Sequence, residues 1–536
     1  MNVSGTAPWW QGAVIYQIYV RSFADGNGDG VGDFHGLIDR LDYVAGLGVD
    51  AIWLSPIHPS PNRDWGYDVS DYDTVNPEYG TDEDFARLLA EAHARGLKVM
   101  TDEVLAHTSD EHPWFRRSLT ESDKEEWYVW APPQLDGTAP NNWLSAFGGP
   151  AWSYHPARRR YYHHKFLRQQ PKLNWRNHDA RRAALAVLDR WLARGVDGFR
   201  LDVANAYLHD ESLTDNPPVP LEDRTPRDWA HAPKLQRHWH DSNLPENLEV
   251  LDQIRRLVDG YPQRFVMGEF SEAPERCGGF AAPDEGLHSG YSFPLLEAHV
   301  LGPDFVRNHF AMLANYPAHW PSVAFSNHDV VRTVTRFGGE RPPAALAKML
   351  LALLFSLKGT ALLYQGEELG LPEGKLRRDQ LKDPVGDLYY PTSRGRDGCR
   401  TPMPWQAGSA NLGFSSATPW LPIAPEHAAL AVSAQEDDPQ STLRFTRAFL
   451  AERWRSAALR LGDIAFVESA APVLAFRRSH PSETIFCAFN MSGDAAAFAD
   501  SSLTRAAPLA VTSSAAKLSH DTLSLPPYAA WFARIA

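Results

Sequence analysis

The sequence predicts an α/β protein: a (β/α)8 TIM barrel with an insertion after strand 3 and a C-terminal antiparallel β domain. Three observations predict it. Short β-branched apolar runs alternate with amphipathic helical segments along most of the chain, a pattern that requires parallel strands joined by helical crossovers. The runs are almost continuously apolar, as strands buried on both faces must be. Polar and charged residues gather at the C-terminal tip of the runs, the end where a barrel carries its chemistry.

The elements follow in order. AVIYQIYV (13–20) leads into the helix-like HGLIDRLDYVAGLG and then VDAIWLSP (49–56). DEDFARLLAEAHARG has apolar positions near i, i+3, i+4 and i+7 and precedes LKVMTDEVL (97–105). The alternation returns with RRAALAVLDRWLARG, VDGFRLDVAN (196–205), RFVMGEF (264–270), PSVAFSNHD (321–329) and GTALLYQGEELG (359–370). Residues 106–172 are rich in Trp, Tyr, Pro and His with little helical period, and read as an inserted domain. Residues 207–245, rich in Pro, Asp and Asn, read as a long loop after the fourth strand. Loops on the catalytic face shape substrate pockets. From about residue 460 the pattern turns to short alternating segments such as PVLAFRRS and YAAWFARIA, the signature of antiparallel strands. The expected organisation is barrel 1–105, insertion 106–172, barrel 173–459 and β domain 460–536.

Composition narrows the partners. The 536 residues carry 66 acidic against 52 basic side chains, a net charge of −14, which disfavours phosphate backbones and anionic lipid. No nucleic acid and no membrane are therefore expected. No stretch approaches the ~18 apolar residues of a membrane span. The N-terminus MNVSGTAPWWQG lacks the basic and apolar regions of a signal peptide, so a cytoplasmic location is expected, as a monomer or homodimer. Cys277, Cys399 and Cys487 are too few and too scattered for a disulfide framework. Aromatics reach 11%, which suits a large core and also sugar binding.

Three carboxylates stand at strand ends: Asp202 in GFRLDVAN, Glu269 in VMGEFSE and Asp329 in FSNHDVVR. Paired carboxyls at a pocket let one protonate a leaving oxygen while the other attacks or stabilises a cation. With DEVLAH (102–107), GFRLDVAN (198–205), GEF (268–270) and FSNHD (325–329) in this order, the chain resembles glycoside hydrolase family 13, the α-amylase family. WWQGAVIYQIYVRSF and CRTPMPW (399–405) make it most similar to the α-glucosidase and oligo-1,6-glucosidase branch.

The resemblance implies roles by position. Asp202 matches the nucleophile, Glu269 the acid/base and Asp329 the carboxylate that binds the sugar hydroxyls and supports the distorted ring. Arg200 is expected to keep Asp202 ionised, and the environments of Asp202 and Glu269 to push their pKa values apart. Retention implies a carboxyl separation of ~5–5.5 Å. His107 and His328 match the histidines on the bound sugar. Asp68 matches the residue gripping the non-reducing end, with Arg400 as its partner, which closes the pocket for exo action. Tyr67 is expected to stack on the sugar, and Phe147 and Phe166 serve as pocket walls or core. Val203, after the nucleophile, goes with α-1,6 cleavage in this branch, although Val is also simply a good strand residue.

Two metal inferences follow. Ala106 stands where α-amylases commonly have the Asn of a calcium site between barrel and insertion, which argues against that site. The loop DGNGDGVGD (25–33) instead offers Asp25, Asn27, Asp29 and Asp33 at positions 1, 3, 5 and 9, with the Val31 carbonyl at 7. It resembles the first-loop ion site of this branch and implies one structural Ca²⁺, with Mg²⁺ second, and no organic cofactor. The implied activity is release of terminal glucose from small α-glucosides, α-1,4 and/or α-1,6, with transglucosylation. The alternative is a transferring or isomerising enzyme of trehalose synthase or sucrose isomerase type. A third reading, a catalytically inactive binding homologue, conflicts with all three carboxylates being present.

Overall fold

The computed structural model describes residues 7–535, apart from 226–227, 229–230, 272–277, 283–284 and 317–318; Cys277 lies outside the described residues. Strands β1 (Val14–Ile18), β2 (Ala51–Leu54) and β3 (Lys98–Glu103) open the barrel. The insertion follows, with a short helix, Pro113–Ser118, and an antiparallel sheet of β4 (Trp130–Ala131), β5 (Trp152–His155) and β6 (Arg160–His163) in the order β4-β6-β5. The barrel resumes with β7 (Gly198–Leu201), β8 (Phe265–Phe270), β9 (Ser289–Ser292), β10 (Ser322–Ala324) and β11 (Thr360–Tyr364). These eight strands pair in parallel in the order β10-β11-β1-β2-β3-β7-β8-β9. Ser289 Oγ and Ser322 Oγ, 2.8 Å apart, bridge the seam between β9 and β10.

Period-two geometry explains the interior. Ile15, Trp53, Met100, Phe265, Met267, Tyr291, Ala324 and Leu362 fill the barrel, and Trp10 stacks on Phe265 at 5.0 Å. One register step further along, the inward positions become Gln17, Asp102, Arg200, Asp202 and Glu269, and the lumen changes from hydrocarbon to charge. Crossover helices cover the outside. Asp82–Ala94 begins with a capping box between Thr81 and Asp84, and His178–Ala193 is capped by Asn177.

Two details differ from the sequence reading. HGLIDRLDYVAGLG forms two helices, Phe34–Asp39 and Leu41–Leu47, because Arg40 leaves helical geometry with φ −106° and ψ 2°. Strand β9, SGYS, was not expected, since its Gly and two Ser give no apolar run.

The C-terminal unit has β12 (Asp463–Val467), β13 (Val473–His480), β14 (Glu483–Asn490), β15 (Ala496–Ala499), β16 (Ala507–Pro508), β17 (Lys517–Ser519), β18 (Thr522–Leu525) and β19 (Ala530–Ile535). They form antiparallel sheets β12-β13-β14-β19-β16 and β15-β18-β17. Phe486, Phe498, Leu523 and Trp531 pack between the sheets, while Phe476, Phe489 and Phe532 face the barrel helices. Among the described residues no helix is long and apolar enough to cross a membrane. Cys399 and Cys487 are free and buried.

Candidate active site

Arg200 is the hub of the barrel mouth. Its fully buried guanidinium meets Asp102 Oδ1 at 2.7 Å, Asp202 Oδ1 at 2.8 Å and Glu269 Oε1 at 2.5 Å. Asp202 and Glu269 thus face one another across a single guanidinium, each at the C-terminal end of its strand. Tyr291 OH accepts from Arg200 Nε at 3.1 Å and donates to Glu269 Oε1 at 3.2 Å. Asp102 Oδ2 accepts from Trp53 Nε1 at 3.3 Å and Tyr67 OH at 3.0 Å.

Protonation departs from expectation at one point. Asp202 and Glu269 are not pushed apart. Burial raises both, Glu269 to about 7, against the opposing pull of Arg200, and the negative charge of Asp202 adds to the rise at Glu269. One cation shared among three buried carboxylates cannot hold all of them ionised. The contrast lies instead between Glu269 and Asp329. Burial also works against the charge of Asp329, but nearby groups outweigh it and hold the carboxyl well below the usual range. His328 is pushed down to about 3 by burial and is neutral at neutral pH. The work therefore falls to Arg396 and Arg400, whose guanidiniums reach Asp329 Oδ1 at 3.1 and 3.0 Å.

The floor of the pocket also differs from the sequence reading. The expected Asp68–Arg400 pair is not formed. Asp68 is fully buried and accepts from Ser60 Oγ at 2.7 Å, Arg63 N at 2.9 Å and Asp64 N at 3.0 Å, so it closes its own loop. Asp64, at the other end of DWGYD, pairs with Arg396 at 2.6 Å and accepts from Gln170 Nε2 at 2.9 Å. The turn between them uses Trp65 at φ +50° and Gly66 at φ +106°, which sends the two carboxylates different ways. Arg396 is fixed from behind by Asp383, through Nη2 at 2.8 Å and Nε at 3.0 Å. Arg400 points to Asp329 and to the carbonyl of His328, 2.7 Å away.

The remaining candidates converge on the same mouth. Tyr67 lies flat against His328, ring centroids 5.1 Å apart, and its hydroxyl meets His328 Nε2 at 2.5 Å. Gln17 holds the other ring nitrogen of His328 at 2.7 Å. His107 Nε2 lies 2.9 Å from the Tyr67 carbonyl and 3.2 Å from Gln170. Phe166 packs on His107 at 5.4 Å and on Phe147 at 5.4 Å, and Arg396 sits over Phe147 at 5.0 Å. Both Phe rings therefore belong to the wall beside Arg396. Val203 takes a left-handed conformation, φ +44°, and its N–H donates to Glu269 Oε2 at 3.1 Å.

The 25–33 loop lies apart from these residues. Its donor chemistry fits a hard cation, with three carboxylates, one amide and a carbonyl, all oxygen. Here the oxygens accept loop N–H groups: Asp25 from Gly28 and Gly30, Asp29 from Val31, and Asp33 from Gly26, Asn27 and Gly36. Among the described residues no three His, Cys, Asp or Glu side chains are grouped so as to hold a metal.

Sequence reasoning missed Asp64, Arg396, Asp102, Gln170, Gln17, Tyr291 and Asp383. Two were within reach. Asp102 opens DEVLAH in the inward register of Arg200, and Arg396 stands four residues before Arg400. Gln17, Gln170 and Tyr291 carry no local signal and are recognised only by what they touch.

The family described as alpha amylase, catalytic domain, matches residues 17–462. The chain is 48% identical to a probable alpha-glucosidase of Rhizobium meliloti (strain 1021), over 98% of this chain and 97% of that one. It is 33% identical to an oligo-1,6-glucosidase of Heyndrickxia coagulans, over 91% of this chain and 93% of that one. The solved structure of an alpha-glucosyl transfer enzyme, XgtA, superposes with a TM-score of 0.96 at 47% identity, covering 99% of this chain and all of the other. With the four motifs converging on one barrel mouth, the chain belongs to glycoside hydrolase family 13, the α-amylase family, in its α-glucosidase and oligo-1,6-glucosidase branch.

Proposed function

We propose that the protein is a retaining, exo-acting α-glucosidase that removes the non-reducing terminal glucose from disaccharides and short oligosaccharides and also transfers it. The observation that carries this reading is one guanidinium spanning Asp202 and Glu269 above a floor closed by Asp64 and Arg396.

The steps follow from the chemistry of those groups. Asp202 attacks the anomeric carbon as Glu269 gives its proton to the glycosidic oxygen, so the C–O bond breaks and a β-glucosyl ester forms. Glu269, now ionised, takes a proton from water. The oxygen of that water displaces Asp202, and Glu269 is protonated again. Two inversions give α-glucose. Asp329, held ionised by its two arginines, suits a site beside a ring that becomes cationic. Because burial lifts Glu269 to about 7, the acid needed for the first step is lost as pH rises through that range. An acceptor hydroxyl in place of water gives transfer, in keeping with the similarity to an alpha-glucosyl transfer enzyme.

On linkage we favour acceptance of α-1,6 bonds alongside α-1,4, from Val203 after the nucleophile. The contact changes by only ~1–3 kcal/mol between Val and Thr, so preference shifts without becoming absolute. We further propose a divalent cation, Ca²⁺ ahead of Mg²⁺, on Asp25, Asn27, Asp29, Asp33 and the Val31 carbonyl, where it is structural. A cytoplasmic monomer or homodimer acting on small α-glucosides completes the proposal.

The test is ¹H NMR of the first product, with kcat/KM for isomaltose, maltose and nigerose and chromatography of products at high maltose. α-Glucose as first product and measurable isomaltose turnover are expected. β-Glucose would refute the nucleophile assignment. Negligible isomaltose turnover that is unchanged in Val203→Thr would refute the linkage argument.

A further inference from the structure

Lys172 is buried at the seam between insertion and barrel, 1% exposed. Its backbone is tied into the insertion: its N–H donates to His163 O at 2.9 Å, its carbonyl accepts from Val129 N at 3.3 Å, and it bridges His107. Its side chain leaves that sheet and donates from Nζ to the carbonyl of Ala206. Ala206 closes the turn that follows Asp202, donating its N–H to Val203 O at 2.9 Å. Val203, at the head of that turn, places its own N–H on Glu269 Oε2. A β-branched residue at φ +44° is costly, so the turn needs support from outside itself. A purely space-filling role would be served better by an apolar chain, because burying an ammonium is expensive.

We propose that Lys172 is a positioning residue for the acid/base step: by holding the Ala206 carbonyl it keeps the Val203 N–H on Glu269. The role rests on Glu269 being the acid/base. It makes the inserted domain a working part of the catalytic machinery as well as a pocket wall. The charged groups nearest its ammonium are Lys165 and Asp241, which are paired with each other at 3.3 Å. His163 and His209 nearby are both pushed far down by burial and are neutral. Burial likewise lowers Lys172 to about 7.

The readout follows from what faces Glu269. Arg200, Tyr291, Asp202, Asp329 and the Val203 N–H all do, and only the last is reached from Lys172. An N–H on a carboxylate favours its ionised form, so losing it raises the pKa of Glu269. The basic limb of the kcat/KM profile then moves to higher pH. General loosening of the fold would lower activity or stability without moving that limb.

The experiment compares Lys172→Met and Lys172→Gln in the full chain with maltose, each first checked for folding by circular dichroism and its unfolding midpoint. The basic limb is expected to move up by about half a pH unit or more, with kcat down roughly tenfold and KM within about threefold. Gln carries the test if Met does not fold. A folded variant whose basic limb superimposes on the wild type overturns the role of Lys172. Glu269→Gln separates the two levels. If that variant keeps activity and limb, the acid/base assignment fails and the proposal with it; if it is inactive, an unmoved limb in the Lys172 variants counts against Lys172 alone.

Discussion

Asp64 and Asp68 lie four residues apart, and only Asp64 meets Arg396 at the barrel mouth. Asp64 faces Arg396 and Gln170, whereas Asp68 spends its lone pairs on Ser60 Oγ and two backbone N–H groups. Charged hydrogen bonds contribute about 1.5–3 kcal/mol each. Asp64→Ala is therefore expected to lower kcat/KM for maltose by roughly 10- to 100-fold. Asp68→Asn should leave kcat/KM within about threefold and instead destabilise the fold by about 1–3 kcal/mol, read from denaturant unfolding. The reverse pattern would restore Asp68 to the pocket floor. At this scale the sequence made Asp202, Glu269 and Asp329 legible, because each sits in a strand-end motif of fixed period. It could not separate Asp64 from Asp68, because their orientation depends on the left-handed Trp65–Gly66 turn between them.

At the scale of elements, the 25–33 loop is held to the barrel's far segment as well as to itself. Asp25 N donates to Phe414 O at 3.0 Å, Trp420 N to Gly30 O at 2.9 Å, and Ser415 Oγ to Asp25 Oδ2 at 2.5 Å. Three carboxylates within nine residues repel one another, and a cation would convert that repulsion into a tie across the fold. Added Ca²⁺ is expected to stabilise the fold by about 2.7 kcal/mol at a hundredfold excess over Kd, read as a raised unfolding midpoint that a chelator reverses. kcat well below the midpoint should not change. Asp29→Ala should abolish the calcium response, and calcium-independent melting of the wild type would rule the ion site out. Elements with a strong local signal were legible. The helix Asp82–Ala94 and the apolar strands followed from the spacing of their apolar residues. Strand β9 was not, because its Gly and two Ser give no apolar run and its place is set by pairing with β8 and by the Ser289–Ser322 contact to β10, both made by residues distant in sequence.

On the scale of the whole molecule, two buried arginines bind backbone carbonyls without any carboxylate partner, Arg453 within the barrel segment and Arg478 from β13 of the C-terminal unit across to it. Arg453 donates to the carbonyls of Phe355, Leu459, Gly12 and Gly359, and Arg478 to those of Ser356, Leu357 and Gly462. Three of these carbonyls end the helix Ala344–Ser356, where a cation is favoured by the helix dipole. Arg478→Met strands several buried acceptors, and a loss of about 2–4 kcal/mol is expected, measured as a lowered unfolding midpoint. kcat should be retained, since the partners of Arg478, Ser356, Leu357 and Gly462, are none of the residues at the barrel mouth; a selective loss of kcat with unchanged stability would contradict the structural role. The sequence by itself determined the barrel, its inserted and C-terminal units, the family and the place of three carboxylates at strand ends, because apolar periodicity and short strand-end motifs are local properties of a chain. Only the tertiary structure decided that Asp64 and not Asp68 meets Arg396, that one arginine serves three carboxylates, and that Lys172 reaches the turn after Asp202. Those contacts join residues distant in sequence, and their charge states are set by burial that no local pattern records.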